Sequence, residues 1–138
     1  MLYDTHYKEG KKVTFKKFDL NLAGLLFLPP NFEESKKYPA IVITHPGGGV
    51  KEQCSSLYGW NLAQNGYVTL AFDASHQGES EGLPRCLEDP SSRVEDIRSA
   101  VDYLVTLPYI DEEKIGAMGV CAGGGYTMNA IQTEYRIK

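Results

Sequence analysis

The sequence predicts a three-layer α/β fold, in which helices cover both faces of a mostly parallel β-sheet. Strand-like and helix-like segments alternate along the chain, and residues 40–44 and 67–72 are short apolar runs of the kind found in strands buried on both faces. An apolar stripe at helical spacing covers about 94–105. Right-handed crossovers would wind this order into a parallel sheet with covering helices. At 138 residues the chain is expected to form one domain.

The first half of the chain is expected to supply three strands and a helix. Two strands are predicted over about 12–20 and 22–28, where apolar and polar residues alternate, and Pro29-Pro30 ends the second. The run at 40–44 is the third strand. A helix is predicted over about 51–64, followed by an Asn-Gly stop. Its apolar face is expected to comprise Cys54, Leu57, Tyr58 and Leu62.

The second half continues the alternation. The fourth strand, 67–72, is followed by a long polar loop over 73–90 that has room for a short helix. The segment Ser92–Glu95 fits a capping box and predicts the start of the next helix, which Pro108 ends. A strand over 114–120 and a helix from about residue 122 complete the series. A solvated helix face is expected for Glu95, Asp96 and Arg98.

Small residues surround Cys121 in the sequence Gly119-Val120-Cys121-Ala122-Gly123. A nucleophile at a sharp strand-to-helix bend needs very small residues two positions before and two after it, because the backbone is crowded there. The motif therefore predicts Cys121 as a nucleophile, with the N–H of Ala122 directed at an oxyanion. Cys121 as a small buried hydrophobe is the alternative. The glycines do not fit the GxGxxG fingerprint of a dinucleotide-binding site, and the segment lacks the GK[ST] ending of a phosphate-binding P-loop.

A second motif, His45-Pro46-Gly47-Gly48-Gly49, follows the third strand. A strand-to-helix bend that carries a nucleophile is called a nucleophile elbow, and the fold that contains it takes its second oxyanion donor from this loop. Glycines allow the backbone N–H groups of such a loop to approach a ligand closely. Gly47 is the first choice for that donor and Gly48 the second. The alternative is an ordinary Pro-Gly turn. His45 is considered as a base, but a structural role within the loop is the preferred interpretation.

Four segments carry a resemblance to a known family: HPGGG at 45–49, FDASHQGESEG at 72–82, RVEDIRSAVDYL at 93–104 and GVCAGGGY at 119–126. From about Val13 onward the chain resembles the N-terminal part of the dienelactone hydrolase-like branch of the α/β-hydrolase superfamily. The resemblance implies an α/β-hydrolase-type sheet, no cofactor, and attack by Cys121 on an ester, lactone or thioester carbonyl. Ala122 and Gly47 would hold the oxyanion. Pro46 stands where dienelactone hydrolase itself has a carboxylate that interacts with the thiol.

The resemblance also implies an incomplete catalytic set. In this fold the nucleophile precedes the acid and the histidine along the chain. Only Glu134 is acidic after Cys121, and His6, His45 and His76 all precede it. Residues 1–138 are therefore expected to be a single partial domain, C-terminally truncated after five strands, with the acid and base beyond residue 138. The alternative is a non-catalytic fragment or pseudoenzyme. Either way, the chain alone is expected to be inactive.

Composition limits the partners. A net charge of −4 argues against nucleic acid, and no apolar stretch approaches the length of a membrane span. The three cysteines are widely spaced, offering neither a disulfide framework nor a CxxC metal pair, so a reducing cytoplasm is expected and Cys54 and Cys86 are expected to be inert. A small ester-type substrate is the expected ligand. Homo-oligomers are expected through the exposed edge of the strand over 114–120.

Overall fold

The computed structural model describes residues 10–138 and confirms the α/β prediction. Five strands and three helices occur in this part of the chain. In order, they are β1 (Lys11–Lys17), β2 (Leu20–Phe27), β3 (Tyr38–Thr44), α1 (Cys54–Ala63), β4 (Val68–Phe72), α2 (Pro90–Val105), β5 (Ile110–Gly119) and α3 (Ala122–Ala130). The strand order is β1-β2-β4-β3-β5. β1 and β2 are antiparallel to their neighbours, whereas β3, β4 and β5 run parallel.

The register of the parallel strands brings three loops to one edge of the sheet. Thr44, the last residue of β3, pairs with Phe72 of β4 and with Gly119 of β5. The three strands therefore end side by side. The residues that follow them, His45, Asp73 and the segment leading to Cys121, begin at the same edge.

The sheet has a core on each face, which gives the three predicted layers. Alternate residues of β2 divide between them: Leu22 and Leu26 pack in the core that α2 and α3 cover, whereas Leu25 and Phe27 pack in the smaller core beneath α1. None of the helices within residues 10–138 is long and apolar enough to cross a membrane.

The prediction for the buried face of α1 was wrong. The residues that the helix buries are small: Ser55, Ser56, Gly59 and Ala63. A Cβ atom at Gly59 would lie 3.1 Å from the ring of Phe27 and 3.2 Å from Oγ1 of Thr69, whose hydroxyl donates to the Gly59 carbonyl. This close approach of helix to sheet leaves the predicted face, Cys54, Leu57, Tyr58 and Leu62, only half-buried.

The capping box was also wrong, because α2 begins before it. Pro90 occupies the first turn, where its fixed φ favours the helix, and the carboxylate of Asp89 accepts a hydrogen bond from the N–H of Ser92 at 2.7 Å. Residues 73–89, all of them described, form a loop without the short helix that the sequence allowed. The observed strands differ from the predicted ones by a few residues at their ends. The largest difference is at β5, which begins at Ile110 rather than at residue 114.

Asp96 is fully buried, which corrects its predicted place on a solvated face. Its carboxylate pairs with Nζ of Lys17 at 2.6 Å and accepts hydrogen bonds from the N–H and hydroxyl of Ser75. Glu95 and Arg98 instead pair with each other at 2.9 Å and stay partly exposed. The network around Asp96 ties β1 and the start of the 73–89 loop to α2.

The outer edge of β5 is paired over a short length only. Ile115 forms a parallel bridge with Ile137, and its carbonyl accepts from the N–H of Lys138 at 2.8 Å. From Gly116 to Gly119, β5 has no neighbour on this side among the described residues, and these positions are half-buried. Such an edge can pair with another chain.

We expect the 138-residue chain to self-associate at micromolar concentration, and Met118→Lys to reduce this, because a charge on an edge strand opposes edge pairing. Static light scattering measures the mass. Leu83→Lys is the matched control, because Leu83 is exposed in the 73–89 loop, away from β5. A cooperative wild-type monomer would contradict the prediction.

Candidate active site

Cys121 lies at the junction between β5 and α3. It is exposed and is the N-terminal cap residue of α3, with φ of 56° and ψ of −123°. A non-glycine residue at positive φ is uncommon and costs conformational free energy. The chain thus turns sharply at this residue, and the thiol lies on the surface at the start of a helix.

Two glycines make this turn possible. A Cβ atom at Gly119 would overlap the carbonyl of Gly123, and one at Gly123 would lie 2.5 Å from the carbonyl oxygens of Thr44 and His45. The end of β3 therefore packs directly against the first turn of α3. Val120 N–H also donates to the Thr44 carbonyl at 3.1 Å. Any side chain at either glycine would force these segments apart.

The glycine-rich loop comes close to the start of α3. The N–H of Gly49 donates to the carbonyl of Pro46 at 3.0 Å, and Gly48 has φ of 68°, a conformation that favours glycine. Gly47 and Gly48 are exposed. A Cβ atom at Gly47 would lie 3.6 Å from Cβ of Ala122. The structure thus brings the two regions singled out in the sequence side by side.

His45 is fully buried and both its ring nitrogens are in use. Nε2 accepts a hydrogen bond from the N–H of Ala74 at 3.0 Å, so Nδ1 carries the proton and donates to the Pro46 carbonyl at 2.6 Å. Burial lowers the pKa of His45, which keeps the ring neutral. These bonds join the glycine-rich loop to the residue after Asp73.

Asp73 fixes the far end of the glycine-rich loop. Its carboxylate accepts hydrogen bonds from the backbone N–H groups of Lys51 and Glu79. The sequence did not reveal its second partner, the buried ammonium group of Lys51, whose Nζ lies 2.8 Å from Oδ2 of Asp73. Burial disfavours this charge, but hydrogen bonds to Asp73, Glu52 and Glu79 outweigh it and raise the pKa of Lys51.

Glu52, Asp73 and Glu79 converge closely enough to be considered as metal ligands. Nζ of Lys51, however, lies 2.7–2.8 Å from an oxygen of each. The ammonium group already meets the charge of these carboxylates. The donor set therefore fits a buried lysine rather than a metal ion.

A second buried cation, Arg93, was missed in the sequence. It lies in the first turn of α2 and is 1% exposed. Nη2 donates to the His45 carbonyl at 2.5 Å, Nη1 donates to both oxygens of Glu88 at 3.0 and 3.2 Å, and the guanidinium carbon lies 4.9 Å from the centroid of the Tyr126 ring. The capping-box interpretation of residues 92–95 assigned Arg93 no role of its own.

Glu88 joins this cluster to the loop over 73–89. It accepts from the Tyr126 hydroxyl at 2.8 Å and from Nε2 of Gln77 at 2.5 Å. Burial raises its pKa, but these hydrogen bonds and the charge of Arg93 outweigh that effect and hold the pKa of Glu88 below its usual value. A pocket of about 300 Å³ lies beside the cluster, lined by Gly47, Gly48, Gln77, Cys86 and Glu88 among others. A larger groove of about 510 Å³ between α2 and α3 includes neither Cys121 nor the glycine-rich loop.

The other candidate acid and base residues have structural partners. Nδ1 of His76 lies 3.1 Å from the Pro84 carbonyl in the 73–89 loop. The carboxylate of Glu134 pairs with Arg136 at 2.6 Å, and their hydrogen bond lowers the pKa of Glu134. His6 lies outside the described residues.

Comparison with known proteins gives relatives that extend well beyond the present sequence. YcjY of Escherichia coli is 55% identical over 119 residues, which are 86% of this chain and 39% of that protein. The thiohydrolase aneE of Aspergillus aculeatus is 34% identical over 139 residues, covering 100% of this chain and 42% of the relative. The crystal structure of PA2218 from Pseudomonas aeruginosa matches with a TM-score of 0.89 and 42% identity, over 100% of this chain and 43% of that one.

The model of the dienelactone hydrolase family matches residues 22–138. The chain therefore belongs to the dienelactone hydrolase family, and its sheet is that of an α/β hydrolase. It spans about two fifths of the length of the relatives named above.

We expect Cys121 to react with iodoacetamide faster than Cys54 or Cys86. Cys121 is exposed at the N-terminus of α3, the end of a helix whose dipole favours anions, and Cys54 is half-buried. Peptide mass spectrometry after timed labelling gives the three rates. Cys86, which is also exposed, controls for the access of iodoacetamide to the thiol. Equal rates in the folded protein would contradict the prediction.

We expect unfolding free energy to fall as pH drops from 7.5 to 5, because burial lowers the folded-state pKa of His45 below its ordinary 6.5. The unfolded state then binds the proton more readily, at a cost of at most about 1.4 kcal/mol per pH unit. Urea unfolding at several pH values measures the slope. His45→Gln should be less stable at pH 7.5, because it loses the buried hydrogen bonds of the ring, and its slope should be flatter. An unchanged slope in His45→Gln would refute the assignment.

Proposed function

We propose that this member of the dienelactone hydrolase family carries the nucleophile and oxyanion hole of a hydrolase that cleaves carboxylic ester, lactone or thioester bonds. Cys121 is the proposed nucleophile, and the N–H groups of Ala122 and Gly47 are the proposed oxyanion donors, with Gly48 as the substitute for Gly47. The observation that carries the proposal is the turn at Cys121, where a thiol at positive φ is exposed next to the glycine-rich loop.

The chemistry follows from this arrangement. Cys121 attacks as its thiolate, after the thiol proton has passed to water. The sulfur forms a bond to the carbonyl carbon, and the π electrons move to the carbonyl oxygen. Backbone N–H groups that point where this negative charge develops stabilise the tetrahedral intermediate. Its collapse expels a thiolate, or an alcohol once an acid has supplied a proton, and leaves an acyl-thioester on Cys121. Water must then release the acyl group, a step that needs a general base.

A base for that second step is proposed to lie beyond residue 138. His45 is neutral, buried and bonded through both nitrogens, so it is poorly suited to take a proton from water at Cys121. Glu134 is paired with Arg136. The match covers 39% and 42% of two relatives, so both have residues outside it, which leaves room for an acid and a histidine there.

Relatives also bear on the substrate. The thiohydrolase aneE is 34% identical over the whole chain, which supports a thioester among the possible substrates. The second candidate function is a scaffold without catalysis, which is supported by the other partners that occupy His45 and Glu134.

We expect p-nitrophenyl acetate to acylate Cys121 in a burst of about one equivalent of nitrophenolate, without sustained turnover. An oxyanion hole retains part of the rate enhancement when the rest of a triad is missing, whereas deacylation lacks its base. Absorbance measures the burst, and intact-protein mass spectrometry identifies the acetylated species.

Cys121→Ala should abolish the burst, and Cys86→Ala, which removes another exposed thiol, should keep it. Failure of the wild-type chain to become acylated at Cys121 would favour the scaffold alternative. Multiple turnovers that depend on Cys121 would instead show that a base lies within these 138 residues.

A further inference from the structure

We infer that Arg93 is a positioning residue for the proposed reaction: it holds the loop that carries Gly47 against the helix that begins at Cys121. This inference rests on the proposed function of Cys121 and Gly47. Among the described residues, the guanidinium group of Arg93 contacts His45, Glu88 and Tyr126 rather than the thiol or the exposed tip of the loop.

The first contact fixes the base of the glycine-rich loop. Nη2 of Arg93 donates to the carbonyl of His45 at 2.5 Å, and this carbonyl lies two residues before Gly47. The same oxygen bounds the space at Gly123, where a Cβ atom would lie only 2.5 Å away. The guanidinium group thus sets the orientation of a peptide that touches the first turn of α3. A rotation of that peptide would turn the N–H of Gly47 as well.

The second contact of Arg93 is with helix α3, through the ring of Tyr126. The guanidinium carbon lies 4.9 Å from the ring centroid of Tyr126, five residues after Cys121, and the Tyr126 hydroxyl donates to Glu88. Glu88 in turn accepts from Nη1 of Arg93. One side chain therefore links the loop after β3, the loop after β4 and helix α3. The first and the last of these segments carry the proposed oxyanion donors.

Arginine suits this place for geometric reasons. A planar guanidinium group presents donors in a rigid fork and can stack on an aromatic ring, whereas an ammonium group is a compact charge without that fork. Lysine at position 93 could keep a cation beside Glu88, but it could not hold the carboxylate and the His45 carbonyl with the same geometry.

The test compares two reactions of the same thiol. Acetylation by p-nitrophenyl acetate passes through a tetrahedral oxyanion, whereas iodoacetamide forms an S–C bond as iodide leaves, with no oxyanion. Both depend equally on the thiolate fraction, so the ratio of acetylation to alkylation rates at Cys121 reports the oxyanion hole. Misplacing a catalytic donor by about 1 Å can cost about 10²-fold in rate.

We expect Arg93→Met to lower this ratio at least about tenfold, by misplacing an oxyanion donor. Arg93→Lys should lower it too, by less. Arg98→Met is the matched control, because Arg98 lies on the same helix and bonds to Glu95 and Thr133 instead, and it should keep the wild-type ratio. Circular dichroism verifies folding, and if Arg93→Met is unfolded, Arg93→Lys decides.

An unchanged ratio in folded Arg93→Met, or in Arg93→Lys where it decides, would overturn the role of Arg93 and leave the proposed function standing. A fall of equal size in Arg98→Met would also overturn it, since loss of any arginine on α2 would then suffice. Absence of wild-type acetylation at Cys121 would instead contradict the proposed function itself.

Discussion

The close backbone contact between the end of β3 and the first turn of α3 is the constraint on which the rest of the site depends. Gly119 and Gly123 have no side chains, so β5 can turn into α3 while the carbonyls of Thr44 and His45 lie against the turn. Cys121 then takes its positive φ and exposes its thiol. The same contact brings Gly47 beside Ala122. Larger residues at either glycine would separate all of these groups together.

Two buried cations hold the glycine-rich loop at its ends while its tip stays exposed. Arg93 binds the His45 carbonyl at one end, and Lys51 pairs with Asp73 at the other. Buried ion pairs often add little net stability, because desolvation of the charges offsets their attraction. Hydrophobic residues could fill the same space, but they could not fix a carbonyl and two loops in one orientation. The need to hold the glycine-rich loop in one orientation therefore explains these buried charges better than a gain in folding stability does.

The parts of the fold that could be predicted from sequence are those that depend on the spacing of residues close together in the chain. The apolar runs at 40–44 and 67–72 predicted parallel strands, and the glycines around Cys121 predicted the junction at which it lies. Arg93 could not be found in this way, because its partner His45 is 48 residues away in the chain. The burial of Asp96 could not be predicted either, because its partner Lys17 lies far away in the sequence, on β1. In α1, Gly59 reversed the expected face by letting the helix approach the sheet.

The arrangement favours some leaving groups over others within the proposed chemistry. Bond formation needs only groups at the ends of β3 and β5, namely the thiol and two backbone N–H groups. Expulsion of an alkoxide needs a proton, because alcohols are very weak acids, and no unpartnered acid accompanies Cys121 among the groups described above. A thiol has a pKa of about 8.5, so a thiolate departs without prior protonation. Within the proposed chemistry, thioesters are therefore the substrates whose leaving group needs no acid beside Cys121.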